Sequence, residues 1–91
     1  MYPSVKTVTA SKDYELIIEF DNGECGILNM KPYLDMGVFK RLKESDAFKS
    51  VRVSFDTVEW SSGVDLDPEF VYEKCHSKQK VQQGKVNAGQ P

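Results

Sequence analysis

Tyr14-Glu15-Leu16-Ile17-Ile18-Glu19-Phe20-Asp21-Asn22-Gly23-Glu24-Cys25-Gly26-Ile27-Leu28-Asn29 is the stretch that decides the fold of this 91-residue chain. Tyr14, Leu16, Ile18 and Phe20 alternate with Glu15, Ile17 and Glu19, the period of a strand with one buried face. Asn22-Gly23 suits both centres of a two-residue turn that needs positive φ, so a tight hairpin is predicted. That turn pairs Phe20 with Cys25, Ile18 with Ile27 and Leu16 with Asn29, which puts Cys25 on the core face. It also sets Asp21 beside Glu24, a like-charge pair that opposes the hairpin weakly, and the turn chemistry is expected to win. Upstream, Val5 to Ala10 reads as a further strand joined through Ser11, Lys12 and Asp13, completing a three-stranded antiparallel meander.

From Met30 the spacing becomes helical, with a short turn near Pro32 to Asp35, a break at Gly37, and Val38, Phe39 and Leu42 spaced for burial. Ser45 can cap a short helix anchored by Phe48. Val51, Val53 and Phe55 alternate with Arg52 and Ser54; a turn at Asp56-Thr57 then lets Val58 to Trp60 pair back as a second hairpin. Asp67-Pro68-Glu69 is an N-cap, N1, N2 sequence opening a last short helix with Phe70, Val71 and Tyr72. The class predicted is α+β, a two-layer sandwich: residues 1–74 one domain, residues 75–91 a flexible, polar, basic tail.

With 40% hydrophobic residues and 11% aromatics the chain has material for one modest core, which excludes a multi-domain enzyme. The formal charge of −2 gives no general attraction to a polyphosphate, so direct nucleic-acid binding is not expected. Residues 1–74 hold 9 basic and 14 acidic side chains, a net −5, whereas the tail holds 3 basic and no acidic ones. The longest aliphatic run, Leu16-Ile17-Ile18, is far short of the roughly 20 residues of a membrane span. Lys6, Lys12 and Asp13 interrupt any apolar signal-peptide core, and a cytoplasmic location is expected, with Cys25 and Cys75 as reduced thiols.

Asp65, Asp67 and Glu69 at alternate positions resemble the start of a calcium loop, but the positions that need Gly and Glu hold Phe70 and His76. Helix capping accounts for Asp67 and Glu69, and leaves Asp65 as the least explained acid. Cys75 and His76 are adjacent, and neighbouring side chains on a helix or strand diverge, so they do not make a nucleophile and base. Trp60 reads foremost as a core plug whose indole N–H meets one carbonyl, with a partner anchor as the other reading. Lys40, Arg41, Lys43, Lys49 and Arg52 read as a solvated helix face, with a phosphate-binding strip as the alternative. No catalytic residue, metal ligand or cofactor is expected.

Tyr2-Pro3-x-Val5, Phe20-Asp21-Asn22-Gly23-Glu24, Gly37-Val38-Phe39-x-x-Leu42 and Thr57-Val58-Glu59-Trp60-x-x-Gly63-x-Asp65-Leu66-Asp67-Pro68-x-x-x-Tyr72 together resemble the bacterial domain of unknown function 2442 family. The resemblance runs from Tyr2 to about Tyr72 and implies a small two-layer α+β domain. It also implies a setting beside another small protein, in an arrangement like a toxin–antitoxin pair. It brings no catalytic residues. Trp60, Gly63, Asp65 and Asp67 therefore enter as a candidate interaction surface. The function expected is a non-enzymatic protein-interaction module, antitoxin-like or regulatory, whose acidic domain suits a basic partner encoded nearby. A small-ligand or weak nucleic-acid binding module using the Lys40 to Arg52 stretch is the alternative, and an open sheet edge would allow a homodimer.

Overall fold

The computed structural model describes residues 2–80, with 76–80 as backbone. Strands β1 (Val5–Ser11), β2 (Glu15–Phe20) and β3 (Glu24–Asn29) form the expected meander. Two 3-10 segments, Lys31–Tyr33 and Gly37–Lys43, lead into helix α1 (Ser45–Lys49). Strands β4 (Arg52–Ser54) and β5 (Thr57–Glu59) are the second hairpin, followed by helix α2 (Pro68–Lys74) and strand β6 (His76–Lys80). The main sheet has the order β1-β2-β3-β6, so residues 76–80, assigned by sequence to the tail, extend the meander by pairing with β3. Cys75 is in the core as well, and the rest of the expected tail lies outside the described residues.

The β2–β3 register differs from the expected one by a single residue: Leu16 faces Leu28, Ile18 faces Gly26, and Glu19 faces Cys25. Only Gly23 of the turn takes positive φ, at 93°. Its N–H donates to the Phe20 carbonyl at 3.0 Å, while the Glu24 N–H donates to Asn22 Oδ1 at 3.0 Å. The loop is thus Asp21-Asn22-Gly23, the longer hairpin connection that ends in a left-handed glycine. Because side chains alternate, this step changes which β3 residues reach the core: Gly26 and Leu28 are buried, and Cys25 is not. The Asp21–Glu24 opposition also disappears, since Asp21 Oδ1 accepts from the Ser4 N–H at 3.2 Å and Glu24 Oε1 accepts from the Tyr72 hydroxyl at 2.7 Å.

The two thiols should therefore differ sharply in reactivity. Cys25 is half-buried on the outer sheet face, whereas Cys75 is 4% exposed and reacts only when the core opens. A thiol reagent followed by mass spectrometry should add one label at Cys25 at least roughly a hundredfold faster than the second. Equal rates would show that Cys75 is not packed as described.

Trp60 is fully buried, with its Nε1–H donating to the Phe48 carbonyl at 2.9 Å. Phe48 in turn meets Tyr14 edge-on at 5.1 Å, so α1 is clamped between the sheet and the second hairpin. Three local expectations need correction. Glu44, not Ser45, caps α1 by accepting from the Ala47 N–H at 3.2 Å, because Glu44 is the last residue with extended backbone. Val38 is 57% exposed, since a 3-10 segment turns faster than an α-helix and directs only Leu42 fully inward. The β4–β5 turn is Phe55-Asp56, because Val53 pairs with Val58 and Ser54 with Thr57. The last helix starts as its sequence indicates, with Pro68 in its first turn and Asp67 Oδ1 accepting from the Glu69 N–H at 3.4 Å.

Candidate functional site

The segment after β5 is built by a tight turn. Gly63, at φ 95°, donates its N–H to the Trp60 carbonyl at 2.8 Å, and the Trp60 N–H donates to the Val64 carbonyl at 2.8 Å. Beyond it, Leu66 N–H donates to the Val58 carbonyl at 3.2 Å and Thr57 Oγ1 donates to the Leu66 carbonyl at 2.7 Å. Val64 and Leu66 are buried, and the alternation of extended backbone turns Asp65 and Asp67 outward. Three of the four candidate residues, Gly63, Asp65 and Asp67, are thus on the surface. Trp60 is removed from it: its ring fills the core, and the plug reading is the one the structure supports.

Asp65 stands between two grooves. One, of about 180 Å³, is lined by Val38, Arg41, Ser62 and Gly63; the other, of about 280 Å³, by Phe39, Leu66, Asp67 and Phe70. Among the described residues the Asp65 carboxylate has neither an ion pair nor a hydrogen bond, even though Arg41 lines the same groove. The arrangement is an apolar floor with one uncompensated carboxylate at its shared wall. Chemically it suits a small apolar side chain with a cation beside it.

A second feature escaped the sequence reading. Phe55, at the tip of the β4–β5 hairpin, is 96% exposed and has φ 55°. That position is the first of a two-residue loop, where a left-handed backbone normally calls for glycine, and a bulky residue there costs about 1–2 kcal/mol. The loop is held on its Asp56 side: Asp56 Oδ1 accepts from Ser4 Oγ at 3.0 Å, and the Val5 N–H donates to the Asp56 carbonyl at 3.1 Å. Ser4 also donates its N–H to Asp21, so Ser4 joins two carboxylates at the base of the hairpin tip, neither in an ion pair among the described residues. The signal was available, since taking Ser54 and Thr57 as the last paired residues leaves Phe55 in the turn.

Two tyrosines and one carboxylate depart from their ordinary ionisation. Tyr2 ionises above the ordinary tyrosine range, through desolvation and then the nearby Glu69 and Glu73 carboxylates. Tyr72 does so as well, chiefly because its hydroxyl donates to Glu24. Asp35 is held below the usual carboxylate range by its hydrogen bond with Lys43. The basic stretch is interrupted, because Lys43 pairs with Asp35 and Arg52 pairs with Glu59 at 3.3 Å. No helix among the described residues is long and apolar enough to cross a membrane.

Compared with known proteins, residues 5–77 match the family described as a protein of unknown function (DUF2442). No curated protein and no solved structure matches the chain.

Proposed function

The chain belongs to the DUF2442 family, and from that premise we propose that it is a non-enzymatic protein-interaction module, the antitoxin-like or regulatory member of a two-gene pair. Its partner is a small basic protein encoded nearby. The observation that carries this reading is Phe55, an aromatic ring held out in water at 96% exposure on a backbone that disfavours it. Burial of such a ring in a partner's pocket recovers roughly 2 kcal/mol of hydrophobic free energy that the isolated fold forgoes. Asp56 next to it in the chain, and the unpaired Asp65 carboxylate in the grooves, belong to a domain of net charge −5, which steers a cationic partner. The net charge of −5 on residues 1–74 disfavours a second copy of the chain as occupant, because two like-charged domains repel.

The test is co-expression with the product of the adjacent gene, followed by affinity capture. Asp65→Ala should weaken capture about three- to tenfold, in the range of a surface charge contact. Thermal stability should hardly move, since the bridge from Asp65 to Glu59 is made by backbone that Ala keeps, and the Asp65 carboxylate has no ion pair among the described residues. A parallel loss of folding and capture would assign Asp65 to structure, and absence of capture by the unaltered chain would end the proposal.

A further inference from the structure

A third cavity, of about 240 Å³, lies on another part of the molecule, between the β1–β2 connection and α1. Its walls combine three kinds of group. Lys12 and Lys49 supply cations, Ser45 supplies a hydroxyl while that of Ser11 donates to the Lys12 carbonyl at 3.2 Å, and the Tyr14 and Phe48 rings supply an apolar side. The connection that forms one wall is strained: Asp13 and Tyr14 take φ 70° and 61° in succession. Tyr14 is held there because its hydroxyl donates to the Lys43 carbonyl, its own carbonyl accepts from the Met30 N–H at 2.9 Å, and its ring packs on Phe48.

Charge in this cavity runs against the charge of the domain. Asp13, the one acid on its wall, is neutralised by Lys31 Nζ at 2.9 Å. Lys12 and Lys49 have no acidic partner among the described residues, and no ion pair joins Lys49 to Asp46 one helical turn away. Two lysines without an acidic partner among the described residues therefore line one concave space in a domain whose net charge is −5. Two cations with a hydroxyl donor match a phosphate monoester, which carries about −1.5 to −2 at neutral pH. The aromatic side leaves room for a compact organic group rather than for phosphate alone.

The geometry points to this cavity as a binding site for a small phosphate monoester of sugar-phosphate size, held by Lys12 and Lys49 with Ser45 and packed against Tyr14. This site is separate from the Phe55 tip and the Asp65 grooves, and it stands or falls independently of the protein-interaction reading.

Titration of the full chain, followed through its backbone amide resonances at low salt, tests it with three probes: inorganic phosphate, ribose 5-phosphate and a short single-stranded oligonucleotide. Saturable shifts confined to Ser11, Lys12, Tyr14, Ser45 and Lys49 are expected, with ribose 5-phosphate binding more tightly than inorganic phosphate. Lys12→Gln with Lys49→Gln should weaken ribose 5-phosphate binding at least about tenfold while leaving the melting temperature in place. Three results would overturn the site: no saturation by about 10 mM probe, unchanged affinity in the double variant, or tighter oligonucleotide binding with shifts spreading to Lys40 and Arg41. The last would make the basic stretch a nucleic-acid surface instead.

Discussion

Trp60→Ala should leave the chain without a cooperative folded state at room temperature. Trp60 is the largest fully buried side chain, and its ring joins the second hairpin to α1 through Phe48. Truncating a buried Trp costs about 3–5 kcal/mol, because lost transfer free energy is joined by an uncollapsed cavity. The whole stability of a domain this small is about 5 kcal/mol, so the loss consumes most of it. Trp60→Phe separates the two contributions. It keeps most of the volume and strands the Phe48 carbonyl that now accepts the indole N–H at 2.9 Å, at a cost of about 1–3 kcal/mol. Urea unfolding by circular dichroism checks both, and a cooperative transition in Trp60→Ala within about 1 kcal/mol of the unaltered chain would show that Trp60 is not the plug.

Phe55→Gly should change stability and capture in opposite directions. Glycine takes φ 55° without strain, so relief of the left-handed backbone should raise stability by about 0.5–1 kcal/mol, after the added unfolded-state entropy of glycine is subtracted. Removing a ring that touches almost nothing in the fold costs little packing. Capture of the adjacent gene's product should fall more than about tenfold, as for a central aromatic anchor. Paired melting and binding measurements decide the matter. A destabilised Phe55→Gly would show that the ring supports the hairpin, and unchanged capture would remove Phe55 from the interface without disposing of the Asp65 grooves.

Local chemistry explains why some elements could be read without coordinates. The Leu16-Ile18-Phe20 alternation, the Asp67-Pro68 helix start and the Trp60 plug each rest on side-chain period or backbone preference within a few residues. The errors share the opposite cause. Asn22-Gly23 is compatible with two hairpin loops that differ by one residue, and the choice rested on partners far along the chain: Ser4 binding Asp21 and Tyr72 binding Glu24. Phe55 was placed on a strand by its period of two, yet cross-strand pairing of Val53 with Val58 put it at the tip.

The candidate sites divide in the same way. Asp65 could be singled out in one dimension as an acid with no capping role, but its place between two grooves required the 3-10 segment Gly37–Lys43 to pack beside it. The Lys12–Lys49 cavity has no linear signature, because its halves are separated along the chain and meet only when α1 folds against the β1–β2 connection. Sequence alone determined the α+β class, the acidic balance and the residues available for a core, since these depend on composition and short-range periodicity. Tertiary structure decided the sheet register, the exposure of Phe55 and which charges were left unpaired, because each is set by contacts between residues distant along the chain.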